Sequence, residues 1–225
     1  MNEIMDGGLF KGTKRSNRSS RAKEVVFRNG WQDFQEFLQS CEQRNPFTIA
    51  IHILSVNWSR RFILDALLAA EGKQHSKTDH TDLDRAGVTE IHANEIELMD
   101  DTENSTGRII GPYPDGRLLL TGEDKRQVLR SILGDYPIRP FILYVGDSMH
   151  DLACMLEADV GIVMGQNASL KAKLQGIKSA VNLVPASEWH IALSVNLALS
   201  PNLVQVDNWL EVISIIQALH KHGYI

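Results

Sequence analysis

The sequence predicts an α/β protein built on a doubly wound parallel sheet, and three observations lead there. Apolar runs of strand length at 47–56, 141–145, 160–164 and 179–184 alternate with segments of helical spacing, the alternation from which parallel sheets are built. Phe141 to Val145 runs through Gly146 into a helical stretch over Asp151 to Ala158, a strand–turn–helix junction. Arg60 to Ala70 carries Phe62, Ile63, Leu64, Ala66, Leu67 and Leu68, the pattern of a largely buried helix.

Taken in order, residues 1–22 are rich in glycine, serine and charge and bury little by themselves. Trp31, Phe34, Phe37 and Leu38 place a helical face over Asn29 to Cys41, and Asn45-Pro46 ends it. Phe47 to Val56 is the first strand, and Ser59 is placed to cap the helix after it. Glu71 to Gly87 reads as a surface loop. Glu90 to Leu98 reads as one short alternating strand, with Arg108 to Ile110 as its hairpin partner across an acidic turn. Pro112 to Gly116 is a turn, and Thr121 opens a helix through Leu133. The strand at 160–164, a short helix at 169–174 and a last core strand at 179–184 follow. Asp207 to His220 is an amphipathic terminal helix.

Composition narrows the class. At 225 residues, 43% hydrophobic and 23% charged, the chain suits one well-cored α/β domain with a small appendage. A formal charge of −5 argues against a nucleic-acid surface; the dense basic run from Lys11 to Lys23 is a solvated segment. Two cysteines, Cys41 and Cys154, make no disulfide framework and point to a reducing compartment. No run of eighteen apolar residues marks a membrane helix, and Met1 to Gly8 has neither the basic start nor the apolar core of a signal peptide. The expected location is the cytoplasm.

The chemistry concentrates in four places. Asp147 leaves the carboxyl end of a strand, where open α/β sheets bind ligands, and Asp151 falls in the first turn of the next helix. A carboxylate pair this close suits Mg²⁺, a hard cation that prefers oxygen; the alternative is that Asp147 caps the helix and Asp151 is a solvated first-turn acid. Ser55 ends another strand and Lys125 begins another helix. If the topology converges them, a hydroxyl, an ammonium and two acids suit a metal-bound phosphoryl group.

Ser55 within Ile-Leu-Ser-Val-Asn-Trp-Ser, Lys125 within Glu-Asp-Lys, and Gly146-Asp-Ser-Met-His-Asp151 resemble motifs II, III and IV of the haloacid-dehalogenase-like (HAD) phosphohydrolases, in their phosphoserine-phosphatase-like branch. Val145 to Val163, Ile91 to Glu95 and Gly8 to Gly12 are similar to the HAD phosphatase domain that plant thiamine-monophosphate phosphatases carry fused to a TenA-like domain, and to fungal stand-alone relatives. The resemblance implies a Rossmann-like HAD core and a phosphatase of a small phosphorylated metabolite, with thiamine monophosphate among the candidates. It implies Mg²⁺ at Asp147, support of the metal site by Asp151, phosphoryl binding by Ser55, and orientation of the phosphoryl group by Lys125. Asn57 and Ser148 lie beside these motifs and are placed to add hydrogen bonds; Asn94 is given a structural or rim role. Neither nucleic acid nor membrane is implied as a partner, and the oligomeric state is left open.

One part of the pattern is missing. The family opens on Asp-x-Asp-x-Thr, whose first Asp is the nucleophile, and this chain has no such motif near its start. Asp82-Leu-Asp84 follows a polar stretch, so no buried strand would present it. The expectation is a chain joining the pattern late, with residues 1–28 as the remnant of a helical cap and its return segment and 29–225 as the core domain. The first strand, the nucleophile and most of the cap are then lacking, through a misplaced start, a true truncation or a degenerate paralogue. A catalytically inactive HAD-like protein that binds phosphate, metal or a protein partner is the alternative function. A response-regulator-like receiver fits poorly, because a receiver's acids lie near its first strand.

Overall fold

The computed structural model describes residues 10–44, 49–73, 79–99, 103–176, 181–189 and 202–225. The chain forms two compact units, one from Met1–Phe27 and Asn45–Leu120, the other from Arg28–Arg44 and Thr121–Ile225.

In the first unit, helix α1 (Arg15–Ala22) packs on α3 (Arg60–Ala70). Helix α3 has the bounds its pattern predicts. Ser59 caps it by accepting the Phe62 amide, and Leu64, Leu67 and Leu68 are buried along it. Strand β1 (His52–Leu54) pairs in parallel with β2 (Glu90–His92), setting His52 opposite Glu90 and Leu54 opposite His92. The strand is thus shorter than the expected 47–56, of which residues 47 and 48 lie outside the described residues.

Two expectations are corrected here. Glu90 to Leu98 is two strands: β2 ends at His92, and β3 (Glu95–Leu98) turns away to pair antiparallel with β4 (Ser105–Ile110). The break is at Asn94, fully buried, whose side chain binds backbone groups of other segments. The loop at 71–87 contains helix α4 (Asp79–Arg85), held by Asp82, buried within ion-pair reach of Arg61 and Arg85.

The second unit is a four-stranded parallel sheet, β5 (Leu143–Gly146), β6 (Val160–Met164), β7 (Asn182–Pro185) and β8 (Asn202–Val206), in the order β5-β6-β8-β7. All five residues of β6 are buried, as befits a parallel strand covered on both faces. Strand β8 is a further correction: 179–184 is not the last core strand, because Leu203 to Val206 enters the sheet interior beside β6. Helices α6 (Leu152–Glu157) and α7 (Ala168–Gly176) join Val163 and Leu203 in a core containing Met155, Leu170 and Leu174. Helix α5 (Gly122–Gly134) packs on α6, and α8 (Trp209–Lys221) packs on α2 (Trp31–Arg44) through Trp31, Phe34 and Trp209.

Candidate functional site

The residues singled out from the sequence fall in both units: Ser55 and Asn57 in the first, Lys125, Asp147 and Asp151 in the second. Strand β5 ends at Gly146 and hands the chain to Asp147. Asp151 occupies the cap position of α6 but makes no capping hydrogen bond; its carboxylate is turned into the protein instead. Lys125 Nζ donates to Oδ1 at 2.6 Å and the Tyr144 hydroxyl to the same oxygen at 3.1 Å. The Ser148 hydroxyl and amide donate to Oδ2 at 2.6 and 3.2 Å. A carboxylate has about four acceptor positions, and here four donors fill them.

Two glycines make this approach possible. A Cβ on Gly146 would stand 2.3 Å from the Asp151 Cβ, and one on Gly122 would stand 2.8 Å from the His150 carbonyl oxygen. Without side chains at these positions, Asp151 folds back under its own loop and α5 comes close enough for Lys125 to reach it. A capping box between Thr121 and Asp124 fixes where α5 starts, and so where Lys125 points.

The pair is buried, with side chains 8% and 7% exposed. Burial pushes the Asp151 carboxyl upward, but the charge and hydrogen bond of Lys125, with those of Ser148 and Tyr144, outweigh it and hold the group below the usual carboxylate range. Burial, then the nearby Asp151 charge, drives the Tyr144 phenol far upward, so it stays protonated and donates to Asp151.

Asp147 is the open acid. Its side chain is 59% exposed, with Arg28 Nη2 at 3.5 Å from Oδ2, and its backbone carbonyl accepts Asn167 Nδ2 at 2.9 Å. No group of three or more His, Cys, Asp or Glu side chains that could cage a metal occurs among the described residues. Mg²⁺ keeps most of its waters and takes one or two carboxylates. The donor set therefore fits a single-carboxylate, water-rich site at Asp147, not an all-protein cage.

In the first unit, Ser55 follows β1 directly. Its amide donates to the His92 carbonyl at 2.9 Å, and its Oγ accepts the Asn57 amide at 3.1 Å. That hydroxyl keeps its proton to donate. Asn57 Oδ1 accepts the Ser59 amide, and the Ser59 hydroxyl donates to Glu95 Oε1, a succession of side-chain-closed turns. Asn94 underpins them, donating to the Asn57 carbonyl at 3.2 Å and the Leu119 carbonyl at 2.9 Å while accepting the Leu119 amide at 2.8 Å. Sequence reasoning missed Tyr144, Glu95 and Arg28. Only Tyr144 had a usable signal, a polar tip on the strand that carries the acids.

No family model matches the sequence. The chain is 28% identical over 187 residues to a CTO1 family protein of Schizosaccharomyces pombe, covering 83% of this chain and 63% of the relative. It is 28% identical over 227 aligned positions to the bifunctional TH2 protein, mitochondrial, of Arabidopsis thaliana, covering 94% of this chain and 32% of that one. The chain thus spans less than two thirds of the length of either relative. Among solved structures, a probable phosphoserine phosphatase from Vibrio cholerae superposes with a TM-score of 0.60 at 13% identity, over 96% of this chain and 49% of that one. A phospho-aspartyl intermediate analogue of phosphoserine phosphatase superposes with a TM-score of 0.55 at 14% identity, over 95% and 81%. Topology, motif order and these likenesses agree: the chain has the HAD-like fold of the phosphoserine phosphatases.

Proposed function

We propose that this chain is the phosphoryl- and metal-binding part of a HAD-like, Mg²⁺-dependent phosphatase of small phosphomonoesters. The observation that carries the reading is the buried Lys125–Asp151 pair set behind the exposed Asp147 at the carboxyl end of β5. Asp147 would hold Mg²⁺, whose chemistry when bound is to neutralise charge on the phosphoryl oxygens. Ser55 and Asn57, in the first unit, are assigned phosphoryl binding by the resemblance of their segment to motif II, each side chain offering a donor. Lys125, immobilised by Asp151, presents a fixed positive charge that orients the group. Asp151 acts on the metal site by holding Lys125 and the Ser148 turn, since its own acceptor positions are filled.

The nucleophile is the missing piece. Covalent phosphoryl transfer divides one hard step into two through an attacking carboxylate, and losing such a residue costs several orders of magnitude. Asp82 and Asp84 lie on helix α4, with Asp82 buried among arginines, so neither serves. We read residues 1–28 as the remnant of a helical cap and its return segment and 29–225 as the core; Asp-x-Asp-x-Thr is not among these 225 residues. The second reading, an inactive HAD-like protein that still binds phosphate or metal, is favoured by that same missing motif.

One comparison separates them. The 225-residue chain and a version extended upstream along the genomic reading frame are assayed with p-nitrophenyl phosphate and thiamine monophosphate, with and without Mg²⁺. The phosphatase reading expects turnover from the extended chain alone, lost in Asp147→Asn. Extended chains that bind Mg²⁺ and phosphate without turnover favour the second reading. We place the protein in the cytoplasm from its composition and its two cysteines; the relative from Arabidopsis is named as mitochondrial, and a fluorescent fusion separates the two locations. Among the described residues no helix is long and apolar enough to cross a membrane.

A further inference from the structure

His52 and His92 sit on the same face of the β1–β2 pair, and neither enters the proposed chemistry. His52 Nδ1 lies 3.2 Å from His92 Nε2. The ring centroids are 5.5 Å apart with the planes inclined by 24°. That separation is the nitrogen–nitrogen distance plus the two ring radii, so the two nitrogens face each other along the line of centres. This is the geometry of an N–H···N hydrogen bond. Two lone pairs converging on a shared metal would instead meet at an angle.

The tautomers follow from burial. Among the described residues His52 Nε2 is buried and has no hydrogen-bond partner, and a proton there would be a buried donor without an acceptor. Neutral His52 therefore carries its proton on Nδ1 and donates it, His92 accepts on Nε2, and His92 keeps its own proton on Nδ1. A further proton has two places to go. It can take the buried, unpartnered His52 Nε2, or it can take His92 Nε2 and set two N–H groups against each other. The first keeps the bond but puts a charge on a half-buried ring and leaves its Nε2–H without an acceptor; the second removes the acceptor and breaks the bond, so it is through His92 that acid opens the pair. Among the described residues the charged groups facing the pair are Glu90 on β2 and Arg60 on α3, which bind each other at 2.7 Å. Burial lowers both imidazoles below their usual range, Glu90 partly opposing it and Arg60 adding to it at His92.

The link to the site is the backbone. The Ser55 amide donates to the carbonyl of His92 itself, one step beyond a ladder of three residue pairs, His52–Glu90, Ile53–Ile91 and Leu54–His92. We propose that His52 and His92 form a positioning clamp for Ser55, closed while both rings are neutral and opened by acid. Its consequence for phosphate binding rests on the reading of Ser55 given above; the clamp itself does not.

The test is amide hydrogen exchange in the full 225-residue chain at pH 7.5 and pH 5, expressed as protection factors corrected for intrinsic rates. In the wild type, protection at Ser55 is expected to fall at least tenfold at pH 5, while Val204 in the other unit keeps its protection. His52→Ala loses Ser55 protection already at pH 7.5. His52→Asn, whose amide nitrogen sits where Nδ1 did and which can flip to accept from a protonated His92, keeps it at both values. Unchanged Ser55 protection in the wild type, an equal loss at Val204, or a His52→Asn variant as acid-sensitive as the wild type each overturns the clamp. Inorganic phosphate binding by Ser55→Ala in the presence of Mg²⁺ fails separately: unchanged affinity removes Ser55 from phosphoryl binding and leaves the clamp standing.

Discussion

The Ser55 loop and the Asp147–Asp151 loop both leave the carboxyl end of a short strand that lies at the edge of its sheet, yet different physics holds them. The acid loop is fixed by a buried ion pair, four donors on one carboxylate, and two glycines that let backbone and side chain approach closely. The serine loop is fixed by neutral hydrogen bonds: an amide on His92, local side-chain turns, and Asn94 beneath. A buried charge left alone is far costlier than an unmade neutral bond. The acid loop should therefore fail abruptly when one partner is removed, and the serine loop by degrees.

The largest effect tests the first half of that contrast. Lys125→Met strands the Asp151 carboxylate between Tyr144 and Ser148, and should cost about 3–5 kcal/mol. In a chain of this size that is a fall in Tm on the order of 10 °C, read by thermal melting. Lys125→Met with Asp151→Asn removes the stranded charge and should recover part of the loss. If the double variant is no better than the single one, the pair does not organise the loop. The sign with pH follows from Asp151. Its folded carboxyl is held below the unfolded value, so its stabilisation is complete above the ordinary Asp range. It is lost as pH falls through the depressed folded value. A melting series below pH 4 reads this, and Asp151→Asn should flatten it.

Asn94→Ala tests the second half. It leaves the Leu119 amide and carbonyl without their buried partner, at roughly 2–3 kcal/mol, and should loosen Ser55 and Asn57 together. Chemical denaturation gives the energy, and hydrogen exchange at Asn57 gives the locality. Ser59→Ala, which removes the α3 cap and a bond to Glu95, should cost about 1 kcal/mol. If either matches Lys125→Met, the distinction between charged and neutral scaffolding fails.

How much of this was legible follows the same division between local and distant causes. Helix α3 and strand β6 have their expected bounds because their signals are local: a serine cap with an apolar stripe, and an unbroken apolar run. Strand β8 was missed because its short Leu203 to Val206 run is ordered by lying between β6 and β7. Helix α4 was read as loop because its chief anchor is Asp82 among Arg61 and Arg85, which no local pattern shows. At the candidate site, motif order singled out Ser55, Lys125, Asp147 and Asp151 as candidates. That Asp151 is buried against Lys125 while Asp147 stays exposed was not readable. It depends on Gly146 and Gly122 having no side chain exactly where another segment must pass, which a sequence shows only as two more glycines.

The smallest effect on stability is the sharpest on function. Asp147 is more than half exposed, and among the described residues its carboxylate pairs with Arg28 at 3.5 Å, a surface pair of little energetic worth. Asp147→Asn keeps the size and shape of the side chain, so stability should move by no more than about 0.5 kcal/mol. The negative charge is lost, however, and on the proposed reading a hard divalent cation held by this carboxylate and waters would have nothing left to anchor it. Mg²⁺ binding by calorimetry should disappear from a protein that melts like the wild type, whereas Lys125→Met should melt early. Equal melting losses in the two variants would mean that both acids are structural and that the loop is only a folded turn. A stable Asp147→Asn chain without Mg²⁺ affinity assigns the buried acid to holding the loop and the exposed one to the ion.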